Sequence, residues 1–190
     1  MKATYTFRFI AITLVCALTT AGFAVDPKIE KKQKEIRDMA QNTLKDLYKA
    51  DPKAKAVVDG AAGHAVFSDF GVKILVAGSG SGKGIAVNSK TKHETFMKML
   101  EVQAGLGMGV KKFRVVFVFD NEKAFDSFVN SGWQFGGQAT AAAKNGDKGG
   151  SMGGAMSVSD GVWMYQLTDK GIAVEITAKS TKYYKDDELN

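Results

Sequence analysis

The chain has 190 residues with 45% hydrophobic, 10% aromatic and 24% charged positions, a composition that excludes a disordered or fibrous protein and fits one globular domain. Formal charge is +6, falling to about +4 once Lys2 and Arg8 of a removable leader are set aside, which is too mild to coat nucleic acid. A chain this long buries enough surface to need no disulfide or metal staple, and the one anomaly is its 21 glycines against 2 prolines.

Residues 1–24 combine a positive start (Lys2, Arg8), an apolar run from Phe9 to Leu18 and the small-residue end Gly22-Phe23-Ala24. These are the parts of a secretory signal, with cleavage expected after Ala24 and a periplasmic or secreted product. The apolar run is too short to cross a bilayer as a helix. The single cysteine, Cys16, falls inside this segment, so the mature chain, residues 25–190, is expected to carry no thiol, no disulfide and no Cys-based metal site.

Asp26-Pro27 pairs an N-cap acceptor with proline at the first helical position, predicting a helix from Pro27 to Tyr48. Ile29, Ile36, Ala40, Thr43, Leu44 and Leu47 fall on one stripe of it, with Lys31, Lys34, Lys45 and Lys49 opposite. Asp51-Pro52 repeats the cap, and a short helix is expected up to Val58, before Asp59-Gly60. From Gly63 the period changes to two. Strands are expected at His64–Ser68, Val72–Ser79, Gly82–Asn88, Glu101–Val110 and Phe113–Phe119, with a helical turn or two over Lys92–Leu100. An Asp120-capped helix is expected to run to Val129 and stop at Gly132. Further strands are expected at Trp133–Lys144, Ser151–Val158, Val162–Thr168 and Ile172–Lys179, separated by turns at Asn145-Gly146-Asp147, Ser159-Asp160-Gly161 and Asp169-Lys170-Gly171. The fold class this predicts is α+β: a mostly antiparallel, glycine-rich, barrel-like sheet with N-terminal helices and one central helix.

Gly78-Ser79-Gly80-Ser81-Gly82-Lys83-Gly84 superficially resembles a phosphate loop, but Ala77 and Gly84 stand where such a loop needs glycine and Ser or Thr, and its flanks read as strand and strand. What remains is glycine at every second position, at 78, 80, 82 and 84 and again at 105, 107 and 109, which leaves one face of each strand without side chains. Such a face either admits a closely packed neighbour or a sharp bend, or forms a smooth groove for a lipid chain or a partner backbone. His64 and His93 stand about thirty positions apart with no further donors at ligand spacing, so neither a metal site nor a hydrolytic triad is expected, and no cofactor.

The first helix pairs Glu30 with Lys34 and Lys31 with Glu35 at four-residue spacing, which suits a solvated ion-paired face; the alternative is adsorption to anionic lipid. Lys111, Lys112 and Arg114 form a second basic cluster. Nucleic acid is disfavoured, because exposed aromatics do not interleave the basic residues and export would remove the chain from DNA.

Gly63-His64-Ala65-Val66-Phe67, the alternating glycines through Gly84, Val102-Gln103-Ala104-Gly105-Leu106-Gly107, Phe135-Gly136-Gly137-Gln138-Ala139, Tyr165-Gln166-Leu167-Thr168-Asp169-Lys170-Gly171-Ile172 and Lys182-Tyr183-Tyr184-Lys185 together resemble the SYLF-domain family over about residues 30–190. The resemblance implies a compact α+β domain with a barrel-like core that binds phospholipid head groups; its eukaryotic members also bind phosphoinositides and actin. The SH3 and FYVE domains that accompany those members have no counterpart here, so for an exported bacterial-type chain the implied ligand is an anionic phospholipid surface.

The sequence therefore points to a non-enzymatic exported domain that binds anionic phospholipid at the cell envelope, with Lys31, Lys34, Lys111, Lys112 and Arg114 as head-group candidates. The competing reading is a structural or protein-interaction module with an envelope protein partner and no lipid binding. Neither reading specifies an oligomeric state.

Overall fold

The computed structural model describes residues 26–74, 77–104, 109–135, 154–168, 171–173 and 180–190. The leader segment with Cys16 and the turn at 145–147 lie outside them.

Helix α1 (Pro27–Ala50) starts where the Asp26 carboxylate accepts the Lys28 N–H at 2.8 Å, and helix α2 (Lys53–Gly60) follows it directly. Among the described residues nine strands then form one antiparallel sheet: β1 (Gly63–Ile74), β2 (Ala77–Asn88), β3 (Glu94–Ala104), β4 (Gly109–Phe119), β5 (Trp133–Phe135), β6 (Met156–Ser159), β7 (Val162–Thr168), β8 (Gly171–Ala173) and β9 (Ser180–Lys185). The order along the sheet is β5-β9-β3-β2-β1-β4-β7-β6, with β8 beside β7. Helix α3 (Glu122–Ser131) joins β4 to β5.

This sheet is curled. Trp133 on β5 and Phe117 on β4 stand five strands apart, about 24 Å in a flat sheet at the usual strand spacing, yet their ring centroids are 5.5 Å apart. Phe67, Phe117, Phe119, Tyr183 and Met99 fill the concave side, and α3 closes it with Phe125 and Phe128. Glycine makes this packing possible. A Cβ on Gly84 would run into the Phe67 ring and the Val66 carbonyl, one on Gly82 into Met99 and the Ser68 carbonyl, and one on Gly63 into the Phe125 ring. At these described positions the bare faces thus admit closely packed neighbours.

On the convex side α1 lays Ile36, Ala40 and Leu47 over Val66, Ile85, Val116 and Leu167, and α2 adds Ala54 and Val58. Thr43, also fully buried, directs its hydroxyl at the Met39 sulfur. The predicted stripe of α1 is therefore its buried face, each large aliphatic contributing about 1.5–3 kcal/mol by burial.

The α+β class and both N-terminal helices match the sequence expectation, and β7 matches to the residue. Several boundaries do not. Val72–Ser79 is no single strand: Val72 pairs with Ser79 across the β1–β2 hairpin, because the alternation continues unbroken on both sides of the turn. Glu101–Val110 likewise divides between β3, beside β2, and β4, beyond β1. Lys92–Leu100 forms no helical turn. It holds a tight turn with Lys92 at φ 60° and then β3, whose alternation is hidden because Phe96 faces one core while Met97 and Met99 face the other. Asn121, not Asp120, caps α3 by accepting the Ala124 N–H at 2.9 Å; Asp120 instead accepts the Trp163 indole N–H at 2.7 Å. Gly132 at φ 69° and Gly161 at φ 67° take the left-handed turns expected of them. Strand β9 was not foreseen, and of the strands expected at Trp133–Lys144, Ser151–Val158 and Ile172–Lys179 the described parts are β5, β6 and β8.

Candidate functional site

Antiparallel register aligns one residue from each of five strands in a row across the convex face: Arg114 (β4), Ser68 (β1), Lys83 (β2), Lys98 (β3) and Tyr184 (β9). The next row on that face contains Ser81, Leu100 and Lys182. On β3 and β9 the two rows make a two-by-two block in which each cation stands opposite an apolar residue, Lys98 beside Tyr184 and Leu100 beside Lys182. Leu100, 45% exposed, and Tyr184, 36% exposed, are the exposed large hydrophobic residues among the described ones.

Helix α1 walls this block. Lys32, Glu35, Ile36 and Met39, spaced to share one flank of the helix, face it across a groove of about 500 Å³ whose floor holds Ser68, Ser81, Lys83, Lys98 and Leu100.

The electrostatics of the groove are uneven. Lys98 and Lys83 stand directly opposite one another, an unfavourable like-charge pair. Asp186, 2% exposed, meets the Lys98 ammonium at 2.7 Å and, chiefly through that hydrogen bond, raises its pKa above the ordinary 10.5. Lys32 is held more loosely, 3.7 Å from Glu188, with both partners exposed. Lys83 and Lys182 form no ion pair with a described residue; the Lys182 ammonium lies 5.8 Å from the centre of the Tyr184 ring.

The five lysine and arginine positions expected from sequence do not gather in one place. Lys31 is exposed on α1, and Lys34, also exposed, binds Asp38 at 2.6 Å. Arg114 binds Asp46 at 2.6 Å, a hydrogen bond that holds the Asp46 carboxyl below its usual value. Asp46 lies twelve positions beyond Lys34, about 18 Å along the helix axis. Lys111 and Lys112 lie on β4 opposite Gly71 and Phe70, with side chains outside the described set.

Sequence reasoning assigns no head-group role to Lys32, Lys83, Lys98, Leu100, Lys182 or Tyr184, although Lys182 and Tyr184 fall in a block that carries the family resemblance. Lys83 was seen only within a rejected phosphate loop, and Lys98 within a mistaken helical turn. The signal that could have found them is the Lys98-Met99-Leu100 and Lys182-Tyr183-Tyr184 alternation, which puts a cation and an apolar residue on one face of each strand.

Among the described residues, no group of three His, Cys, Asp or Glu side chains could hold a metal ion, and no helix is long and apolar enough to cross a membrane. His93 is exposed. His64 has a buried Nδ1 without a hydrogen-bond partner, and burial, reinforced by the Lys92 charge, pushes its pKa down against the opposing pull of Asp59. Burial, together with the Asp51 charge, pushes the Tyr165 phenol up to about 12. A second cavity, of about 450 Å³, lies beside α3 and includes Lys123, Trp133 and Asp160.

A curled antiparallel sheet with N-terminal helices is the kind of α+β fold the sequence resemblance implied. Residues 100–190 match the model of the Ysc84 family, described as "Las17-binding protein actin regulator", so the chain is similar to this SYLF-domain family from within β3 onward. The chain is also similar to Beta cell expansion factor A of Aeromonas veronii, 30% identical over 168 residues, which covers 87% of this chain. The match takes in 62% of that relative's length.

Proposed function

We propose that this chain is an exported, non-enzymatic domain that binds anionic phospholipid through the groove between α1 and the β2–β3–β9 face. The observation that carries the reading is the alternation of Lys98, Leu100, Lys182 and Tyr184 on neighbouring strands, with Lys83 alongside. Ammonium groups meet phosphate while leucine and tyrosine enter the acyl boundary, as at other interfacial sites. Each lysine near an anionic surface contributes about 1 kcal/mol at low salt. Lys31, exposed on α1, adds to the same field; Lys34 and Asp38, like Arg114 and Asp46, neutralise one another. Export rests on the reading of residues 1–24, and the N-terminal mass of the secreted protein tests it.

Co-sedimentation with vesicles of phosphatidylglycerol and of phosphatidylcholine, at low and at high salt, tests the lipid reading. The protein is expected to pellet with the anionic vesicles and to be released by salt. Equal pelleting with both lipids, or none, would end the proposal.

A second reading has support of its own. The family description names a protein partner, Las17, and actin regulation for its members, so the groove could receive an acidic protein segment instead. Recovery of one stoichiometric cross-linked partner, without vesicle binding, would favour it.

A further inference from the structure

Building on the lipid reading above, we infer that the groove takes up its ligand one molecule at a time: the domain is a carrier for a single-chain phosphate amphiphile of the lysophospholipid class, beyond adsorbing to a bilayer. The site is concave. Ser68, Ser81 and Lys83 form a floor walled by Lys32, Glu35 and Met39 of α1, a recess that a bilayer surface engages at its rim and that a single molecule can fill. Its volume of about 500 Å³ lies within the range of roughly 300–1,000 Å³ usual for sites that enclose one small ligand.

The chemistry is arranged for one head group and one chain. Lys83 and Lys98 are direct partners across β2 and β3, so their Cβ atoms stand about 5 Å apart and both ammonium groups can converge on one phosphate. Asp186 already satisfies part of Lys98, whereas Lys83 offers its full charge. Leu100 and Tyr184 extend from this point along the groove, where an acyl chain would cover the apolar surface they now expose. The alternative locations fit less well. Aromatic rings fill the described concave side of the sheet, and the cavity beside α3 sets Asp160 against a single cation, Lys123, where the groove sets Glu35 against Lys32, Lys83 and Lys98.

Titration calorimetry with oleoyl lysophosphatidylglycerol, held below its micellar concentration, tests the inference on the full secreted chain. The expected result is one-to-one binding, at least about tenfold tighter than oleoyl lysophosphatidylcholine and tighter by a similar factor than inorganic phosphate. Lys83→Gln and, separately, Leu100→Ser should each weaken it about tenfold while leaving the melting temperature within a few degrees, both side chains being exposed. Equal affinity for the choline lipid, or for inorganic phosphate alone, would overturn the inference. Pelleting with phosphatidylglycerol vesicles without uptake of the monomer would overturn it and leave the surface-binding reading standing; failure of both assays would overturn both.

Discussion

The Phe67 ring of β1 occupies the space over Gly84, its direct partner on β2: a Cβ at position 84 would come within 2.6 Å of the ring's Cε1 and closer still to Cδ1. From there Phe67 reaches Tyr183 of β9, with ring centroids 4.8 Å apart across two intervening strands. The glycine is thus what lets the sheet curl and close its aromatic core.

Gly84→Val should consequently destabilise the fold by about 1–3 kcal/mol or more, since the added atom meets the Val66 backbone carbonyl as well as the ring, and backbone cannot swing aside. Thermal melting reads this as a drop of several degrees. Gly60→Ala, where nothing lies within 4 Å of the added atom, is the matched control and should melt as the parent does.

His64 makes stability depend on pH in a defined direction. Its folded pKa lies below the ordinary 6.5, chiefly from burial, so the unfolded chain binds the proton more readily. This contribution is therefore fully present above about 6.5 and is lost as pH falls from there toward the depressed value. His64→Gln should flatten the melting temperature over that window, and an unchanged pH profile would contradict the assignment.

Asp186 and Lys98 give the opposite sign at the alkaline end. The folded pKa of Lys98 is raised by its hydrogen bond to Asp186, so this contribution is fully present below about 10.5 and lost as pH rises through the folded value. Asp186→Asn should cost about 1.5–3 kcal/mol at neutral pH, the usual range for a charge-assisted bond to a buried partner, and the variant should lack the alkaline loss. Urea denaturation at pH 7 and near pH 11 measures both.

Glu188 should behave differently from Asp186. Its contact with Lys32 is 3.7 Å long and exposed on both sides, so the stability it contributes is about 0–1 kcal/mol. Glu188→Gln should leave the melting temperature unchanged and, by freeing Lys32, strengthen anionic-vesicle binding no more than about fivefold.

Much of the architecture is legible in residue order because local signals agree with the final packing. Asp26-Pro27 and the stripe from Ile36 to Leu47 place α1 correctly, and Gly161 and Gly132 mark real turns. Legibility fails where both faces of a strand are buried. Phe96, Met97 and Met99 erase the alternation of β3, and with it the position of Lys98 was lost. The groove was hidden for a further reason. Lys32, Lys83, Lys98 and Lys182 are scattered over 150 residues, and only the register of β2, β3 and β9 with α1 across them brings these cations together. A cluster adjacent in sequence, such as Lys111, Lys112 and Arg114, is easier to see and need not form a site; Arg114 is engaged by Asp46.

The most direct test of the central claim is an amide chemical-shift titration of the full chain with dihexanoyl phosphatidylglycerol. Perturbations should centre on Lys83, Lys98, Leu100 and Lys182 and on the Lys32–Met39 flank of α1, and should vanish in Lys83→Glu/Lys182→Glu. Shifts confined to α3 and the β6–β7 end, or an undiminished response in the double variant, would contradict the account.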